Sequence, residues 1–414
     1  PFKPLISDWI GSFNIIGNDG SIFYIITDYL APKNRIIKID TKNPYQNNWI
    51  DIIPKSEYNL RKVKMINNEF ICIYNRDIID YMEIYSIDGK FKKVIQLPGL
   101  GTISSISGTR QDNEMFFGFT SYLYPNTVFH HDFNLNKTEI FIEPEIQFDP
   151  TEFISKQIFY YSKDSTKIPM FIIHHKGLNK TNNNPTYLYG YGGFNVGIYP
   201  RFSVSIIPWL EKGGVYAVAN IRGGSEYGEE WHKAGMLKNK QNVFDDFIAA
   251  GEYLINNNYT SNKHLTIGGG SNGGLLVAAV MIQKPDLFAA VDCGVPVTDM
   301  FRYNKFTIGW AWESDYGSPE SLEYFSVLHK YSPLHNVKEN HNYPPILITT
   351  SDHDDRVVPS HSYKFISTLQ EKSISNNPQL IRIETKAGHG AGLPISKRID
   401  QKADIWAFLL YHSK

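Results

Sequence analysis

Cysteine is nearly missing from this chain: Cys72 and Cys293 are the only two among 414 residues, one in each half. That count leaves no room for a disulfide framework, and a reducing compartment, the cytoplasm, is expected. Both thiols read as buried, inert core groups. An excess of either charge is missing too. The 41 basic and 42 acidic residues leave a formal net charge of -1, so there is no electrostatic case for nucleic acid or an anionic membrane as partner. No apolar run reaches the ~18 residues a spanning helix needs. The opening Pro1-Phe2-Lys3-Pro4 lacks the apolar stretch of a signal peptide. An initiator Met is also lacking, from which we expect the chain to start inside a longer protein.

What is present falls into two halves with different periods, as 414 residues would suggest. Residues 1–150 read as short strands between polar turns, and they repeat. Apolar strands at 22–27, 70–74 and 115–120 place Phe23, Phe70 and Phe116 at nearly equal intervals. Each follows an Asn/Asp turn (Asn18-Asp19-Gly20, Asn67-Asn68, Asp112-Asn113), and each precedes a second strand, at 35–40, 82–88 and 127–133. A period of roughly 45–50 residues with about four strands per unit is the mark of propeller blades. Three blades do not close a ring, so the expectation is a partial β-propeller whose remaining blades lie elsewhere.

From residue 151 strands alternate with helices. Strands are expected at 167–175, 186–191, 214–220, 264–268, 289–293, 345–350 and 379–385. Helices are expected at 243–256, 272–283, 360–372 and 397–411. That alternation implies a mostly parallel sheet covered on both faces, an α/β architecture for residues 151–414.

The chemical signal is Gly268-Gly269-Gly270-Ser271-Asn272-Gly273-Gly274, which carries G-x-S-x-G between an apolar strand and a helix. The serine must stand on a tight turn, where side chains at the flanking positions would collide with the crossing strand and helix. The Asn272 N–H then points to where an oxyanion forms. No lysine follows, as a phosphate-binding loop would require. A serine nucleophile needs a base and an orienting acid, in the chain order Ser, Asp or Glu, His for this fold class. Both appear where strands end: Asp352-His353-Asp354-Asp355, then Gly388-His389-Gly390. Spacing alone does not choose among Asp352, Asp354 and Asp355. Of the 13 histidines, His389 has the small neighbours that let a loop approach the serine, and His353 sits beside the acid rather than after it. His174 and His175 point to opposite faces of one strand and cannot share a metal. His232, His329, His335 and His341 read as surface or loop residues.

These blocks resemble the prolyl oligopeptidase family. The resemblance rests on Tyr189-Gly190-Tyr191-Gly192-Gly193-Phe194-Asn195, Ala219-Asn220-Ile221-Arg222-Gly223-Gly224, Gly228, Trp231-His232-Lys233, the Ser271 turn, Tyr331-Ser332-Pro333, the segment 352–359 and the segment 387–392. It is strong from residue 151 onward and looser over the blades. It implies Ser271 as nucleophile, Asp354 as acid and His389 as base. It also implies Tyr191 as the oxyanion donor beside the Asn272 N–H, and Trp312 as the indole that stacks on a substrate proline. Phe194, Val297, Tyr316 and Val357 would complete that pocket, and Arg356 would bind a substrate backbone carbonyl. The implied activity is hydrolysis of short peptides on the carboxyl side of proline through an acyl-enzyme, without metal or cofactor, by a molecule that is a monomer when complete. Members carry a further N-terminal segment and a seven-bladed propeller, so gating by the absent blades is open. Rivals are a sibling oligopeptidase, which would need pocket acids to hold Arg or Lys, a dipeptidyl peptidase with a glutamate pair, and an inactive binding protein. The aromatic and aliphatic pocket argues against the first, and an intact Ser, Asp, His order against the last.

Overall fold

The computed structural model describes residues 4–390 and 393–414. Pro1, Phe2 and Lys3 of the opening segment, and Ala391 and Gly392 of the last block, lie outside the described residues. The chain divides into two compact units. One comprises Pro1–Phe148, Tyr199–Ser203 and Glu226–Glu230; the other comprises Asp149–Ile198, Val204–Ser225 and Trp231–Lys414.

The first unit holds three four-stranded antiparallel sheets. They are β1–β4 (Phe13–Asp19, Ile22–Thr27, Arg35–Asp40, Ile50–Ile53), β5–β8 (Asn59–Ile66, Glu69–Arg76, Ile79–Ser86, Phe91–Ile95) and β9–β12 (Thr102–Ser107, Glu114–Thr120, Thr127–Asp132, Lys137–Ile142). The repeat read from the sequence is therefore one sheet per period. The Asn67-Asn68 turn joins β5 to β6 with both residues at positive φ (53° and 54°), the conformation a tight two-residue hairpin requires. The strand expected at 82–88 begins earlier, at Ile79, because Asp77 and Ile78 form the turn before it at positive φ. Arg110 pins the blades together: its guanidinium reaches Asp19 (2.6 Å), Asn68 Oδ1 (2.6 Å) and the Asn18 carbonyl (2.9 Å). Separate apolar clusters fill the spaces between sheets, around Phe70 and Cys72 on one side and Phe117, Phe119 and Ile84 on the other.

The second unit is built on one eight-stranded sheet. Its strands are β13 (Phe153–Tyr161), β14 (Lys167–His175), β15 (Thr186–Tyr189), β16 (Val215–Ala219), β17 (Leu265–Gly270), β18 (Ala290–Gly294), β19 (Ile346–Ser351) and β20 (Gln379–Glu384). They lie in the order β13-β14-β16-β15-β17-β18-β19-β20. β13, β14 and β16 pair antiparallel, and every pairing from β16 to β20 is parallel. Alternate residues feed opposite cores. Leu188, Ile267, Val291 and Ile348 join Val243, Phe244 and Phe247 of the helix Gln241–Asn256. Tyr187, Ala290 and Leu347 meet Trp209, Trp406 and Leu409 on the other face. The helix Asn272–Gln283 buries every residue but its last, as its unbroken apolar sequence demands. Propeller blades and a doubly covered, mostly parallel α/β-hydrolase sheet are thus the architecture. Among the described residues no helix is long and apolar enough to cross a membrane.

Candidate active site

The central strand β17 runs out through Gly268, Gly269 and Gly270 and turns at Ser271 into the helix Asn272–Gln283. Ser271 has φ 59° and ψ -117°, a region that costs a side-chain-bearing residue about 1–3 kcal/mol. The turn is held by the Ser271 N–H on the Gly294 carbonyl at 2.9 Å. The glycines are there for space. A Cβ on Gly269 would lie 2.4 Å from the Gly273 carbonyl oxygen, and one on Gly274 2.5 Å from that of Gly294. Asn272 is the first helical residue, so its N–H has no carbonyl within the helix to receive it.

Beside the turn, Tyr191 leaves the end of β15 and lines the same cavity as Ser271. Burial, reinforced by the negative charge of Asp315, pushes this phenol above its ordinary pKa; Arg356 and Ser271 pull the other way. Two loops further along the sheet meet each other. Asp354, buried in the loop after β19, accepts the Arg356 and Val357 N–H groups on Oδ1 at 3.0 and 2.9 Å. Its Oδ2 faces His389 Nδ1 at 2.7 Å. The loops are also laced by backbone, the His353 N–H reaching the Ala387 carbonyl at 3.1 Å. This geometry separates the three aspartates. Asp352 pairs with the exposed ring of His353, Asp355 faces solvent, and Asp354 alone of the three meets His389.

A cavity of about 90 Å³ opens at the serine. Its lining is Tyr191, Phe194, Ser271, Asn272, Val297, Trp312, Tyr316 and Arg356, so eight of the residues singled out from the sequence converge. Val357, expected to complete the pocket, does not line this cavity; it is buried, and its N–H holds Asp354. The rings form a packed box: Phe194 stands edge-on to Tyr316 (5.2 Å) and to Trp312 (6.4 Å), and Tyr303 lies parallel to Trp312 behind it. No carboxylate lines the cavity, and its charged group is Arg356.

The sequence did not reveal what stands behind this surface. Lys240, Asp315 and His232 are joined in a polar cluster under the Tyr191 loop. His232, expected as a surface residue, is instead half-buried with Nε2 on Asp315 Oδ1 at 2.8 Å. His335 is likewise half-buried, stacked 3.8 Å from Phe301 and bonded to Ser332. His174 is buried and its neighbour His175 exposed, on opposite faces as alternation requires.

A serine on a glycine-framed turn of a parallel sheet, followed in the chain by an aspartate and a histidine that meet beyond the next strands, is an arrangement of the α/β-hydrolase fold. The model of the prolyl oligopeptidase family matches residues 200–414, and that of the prolyl oligopeptidase N-terminal β-propeller domain matches residues 1–144. The chain belongs to the prolyl oligopeptidase family. It is 46% identical to a prolyl endopeptidase of Elizabethkingia meningoseptica over 411 residues, 99% of this chain and 58% of that protein. It is 44% identical to a prolyl endopeptidase of Dictyostelium discoideum over 93% of this chain and 53% of that one. Among solved structures, a prolyl endopeptidase matches with a TM-score of 0.96 and 41% identity, over 99% of this chain and 60% of that one. Prolyl oligopeptidase B from Galerina marginata, solved with a 35-residue hydrolysis and macrocyclisation substrate, matches with a TM-score of 0.95 and 37% identity over 99% and 59%. The chain thus spans under two thirds of the length of these relatives.

Proposed function

We propose that this protein is a serine peptidase that cleaves short peptides on the carboxyl side of proline through an acyl-enzyme. The observation that carries the reading is the small aromatic cavity beside Ser271. Its volume is about 90 Å³ and its walls include the rings of Tyr191, Phe194, Trp312 and Tyr316, apolar surfaces suited to a compact ring. With no carboxylate in the lining, a basic side chain would find no partner. The curated relatives named prolyl endopeptidase agree with this.

In the proposed sequence, Ser271 attacks the prolyl carbonyl. With its Nδ1–H directed at Asp354, His389 is left with Nε2 as the basic nitrogen; it takes the serine proton and later gives it to the leaving amine. Asp354 fixes the ring and stabilises the imidazolium. The Tyr191 hydroxyl and the Asn272 N–H receive the oxyanion. The proline ring lies against the Trp312 indole between Phe194, Val297 and Tyr316, a flat contact that aromatic faces favour. Arg356 holds a backbone carbonyl on the acyl side. We also assign the protein to the cytoplasm, supported by two buried, unpaired cysteines. Hydrolysis of blocked dipeptide amides that differ only at the residue before the cut tests the reading. Turnover concentrated on proline is expected; a preference for arginine or lysine would contradict it.

A further inference from the structure

We propose that Lys240 is a positioning residue for the oxyanion site: its buried ammonium ties three segments together and thereby sets where Tyr191 and Phe194 stand. The inference rests on the reading of Ser271 as nucleophile and Tyr191 as oxyanion donor.

Lys240 is 1% exposed. Its Nζ donates to the Gly192 carbonyl at 2.9 Å and to Asn272 Oδ1 at 3.2 Å, and stands 3.7 Å from Asp315 Oδ2. A lysine at this depth is rare unless paired, and burial pushes its pKa down while Asp315 holds it up. An apolar side chain would fill the same space without the desolvation cost. What it would not do is bind three acceptors from three separate segments.

Each of those acceptors leads to the site. The Asn272 amide is engaged at both ends: Oδ1 also receives the Tyr316 hydroxyl at 2.9 Å, and Nδ2 donates to the Tyr191 carbonyl at 2.6 Å. The hold of Lys240 on this amide is therefore passed to the backbone of Tyr191. Asp315 accepts the Phe194 N–H at 3.1 Å and His232 at 2.8 Å. Phe194 and Asn195 both sit at φ 56°, a conformation that a bulky residue keeps only when its surroundings impose it. The loop also rests directly on the amide, since a Cβ on Gly193 would lie 2.7 Å from Asn272 Nδ2. Without the ammonium, Asn272 and Gly192 each lose a donor and Asp315 loses its buried counter-charge. The Tyr191–Phe194 loop is then free to shift.

The test is Lys240→Met, with rates expressed per active site titrated by fluorophosphonate, so that misfolded protein does not count. A displacement near 1 Å costs up to about 10²-fold; kcat on a blocked prolyl substrate and the labelling rate should both fall roughly 10- to 100-fold, with KM moving less. The decisive readout is a double-mutant cycle. Tyr191→Phe should cost far less in the Lys240→Met background than alone, because the donor it removes is already displaced. Fully multiplicative losses, or an unchanged kcat, overturn the proposal. Should Lys240→Met fail to fold, Asp315→Asn enters the same cycle; it keeps an acceptor for Phe194 and removes the counter-charge. Ser271→Ala is the control. Labelling that persists in it removes the underlying reading as well, whereas its loss together with an unchanged Lys240→Met removes the Lys240 role alone.

Discussion

His389 Nδ1 and Asp354 Oδ2 lie 2.7 Å apart although 35 residues separate them in the chain. The two residues occupy loops that follow the neighbouring parallel strands β19 and β20. The aspartate is already oriented by the Arg356 and Val357 N–H groups on its other oxygen, so it presents one fixed acceptor to the ring. Asp354→Asn keeps the shape but offers an N–H where His389 needs an acceptor, which favours the wrong tautomer. Its kcat should drop on the order of 10⁴-fold, the scale for losing a triad carboxylate. A loss under tenfold in steady-state assays would make Asp354 a structural group.

Tyr191→Phe removes one hydroxyl beside Ser271. A lost oxyanion donor costs roughly 10²–10³ in kcat. Because the bond tightens on the developing anion, kcat should carry the effect and KM should not. Equal kcat in mutant and parent, measured where chemistry limits turnover, would assign the second donor elsewhere.

Trp312 stands between Phe194 and the ring of Tyr303. Trp312→Ala should hurt a prolyl substrate more than its alanyl analogue, since only the ring uses the flat face. The lost discrimination should be about 1–3 kcal/mol, the range open to an apolar pocket. Parallel losses of kcat/KM for both substrates would leave Trp312 with a packing role only.

His361 gives a pH prediction. It is buried in the helix Ser360–Lys372, and its Nδ1 accepts the Thr298 and Asp299 N–H groups at 3.3 and 3.1 Å. Burial pushes its pKa from 6.5 down to about 4. Between those values the unfolded chain takes up a proton that the folded protein refuses. Stability is therefore fully present above pH 6.5 and falls as the pH drops toward 4, by on the order of 3 kcal/mol for this one group. His361→Asn retains an acceptor and cannot titrate. Its melting temperature should fall less steeply than the parent's across that window, and equal slopes would count against the assignment.

Much of this was legible in the sequence, and the divide has a physical basis. The blades announced themselves through a repeat, and the serine turn through glycines whose crowding is local to strand and helix. The pocket residues were legible only through the family blocks, since an aromatic residue such as Phe194 or Tyr316 looks the same in a core. Lys240 was hidden because it follows exposed Lys238 and Asn239 in a polar run; its burial comes from the Gly192 and Asn272 acceptors, which are distant in the chain. The burial of His232 is hidden for the same reason, its partner Asp315 lying 83 residues away. The edge strand β13 escaped notice because Lys156 and Gln157 interrupt its apolar pattern. The helix Leu322–Tyr331 escaped because it buries only Leu328 and Tyr331.

The central claim is that the hydroxyl of Ser271, on its strained turn, is the nucleophile of this site. Peptide mapping of the protein after treatment with a fluorophosphonate tests it most directly. The account predicts one equivalent of adduct, on the peptide that contains Ser271, and no adduct in Ser271→Ala. An adduct mapped to another residue, or labelling undiminished in that variant, would contradict it.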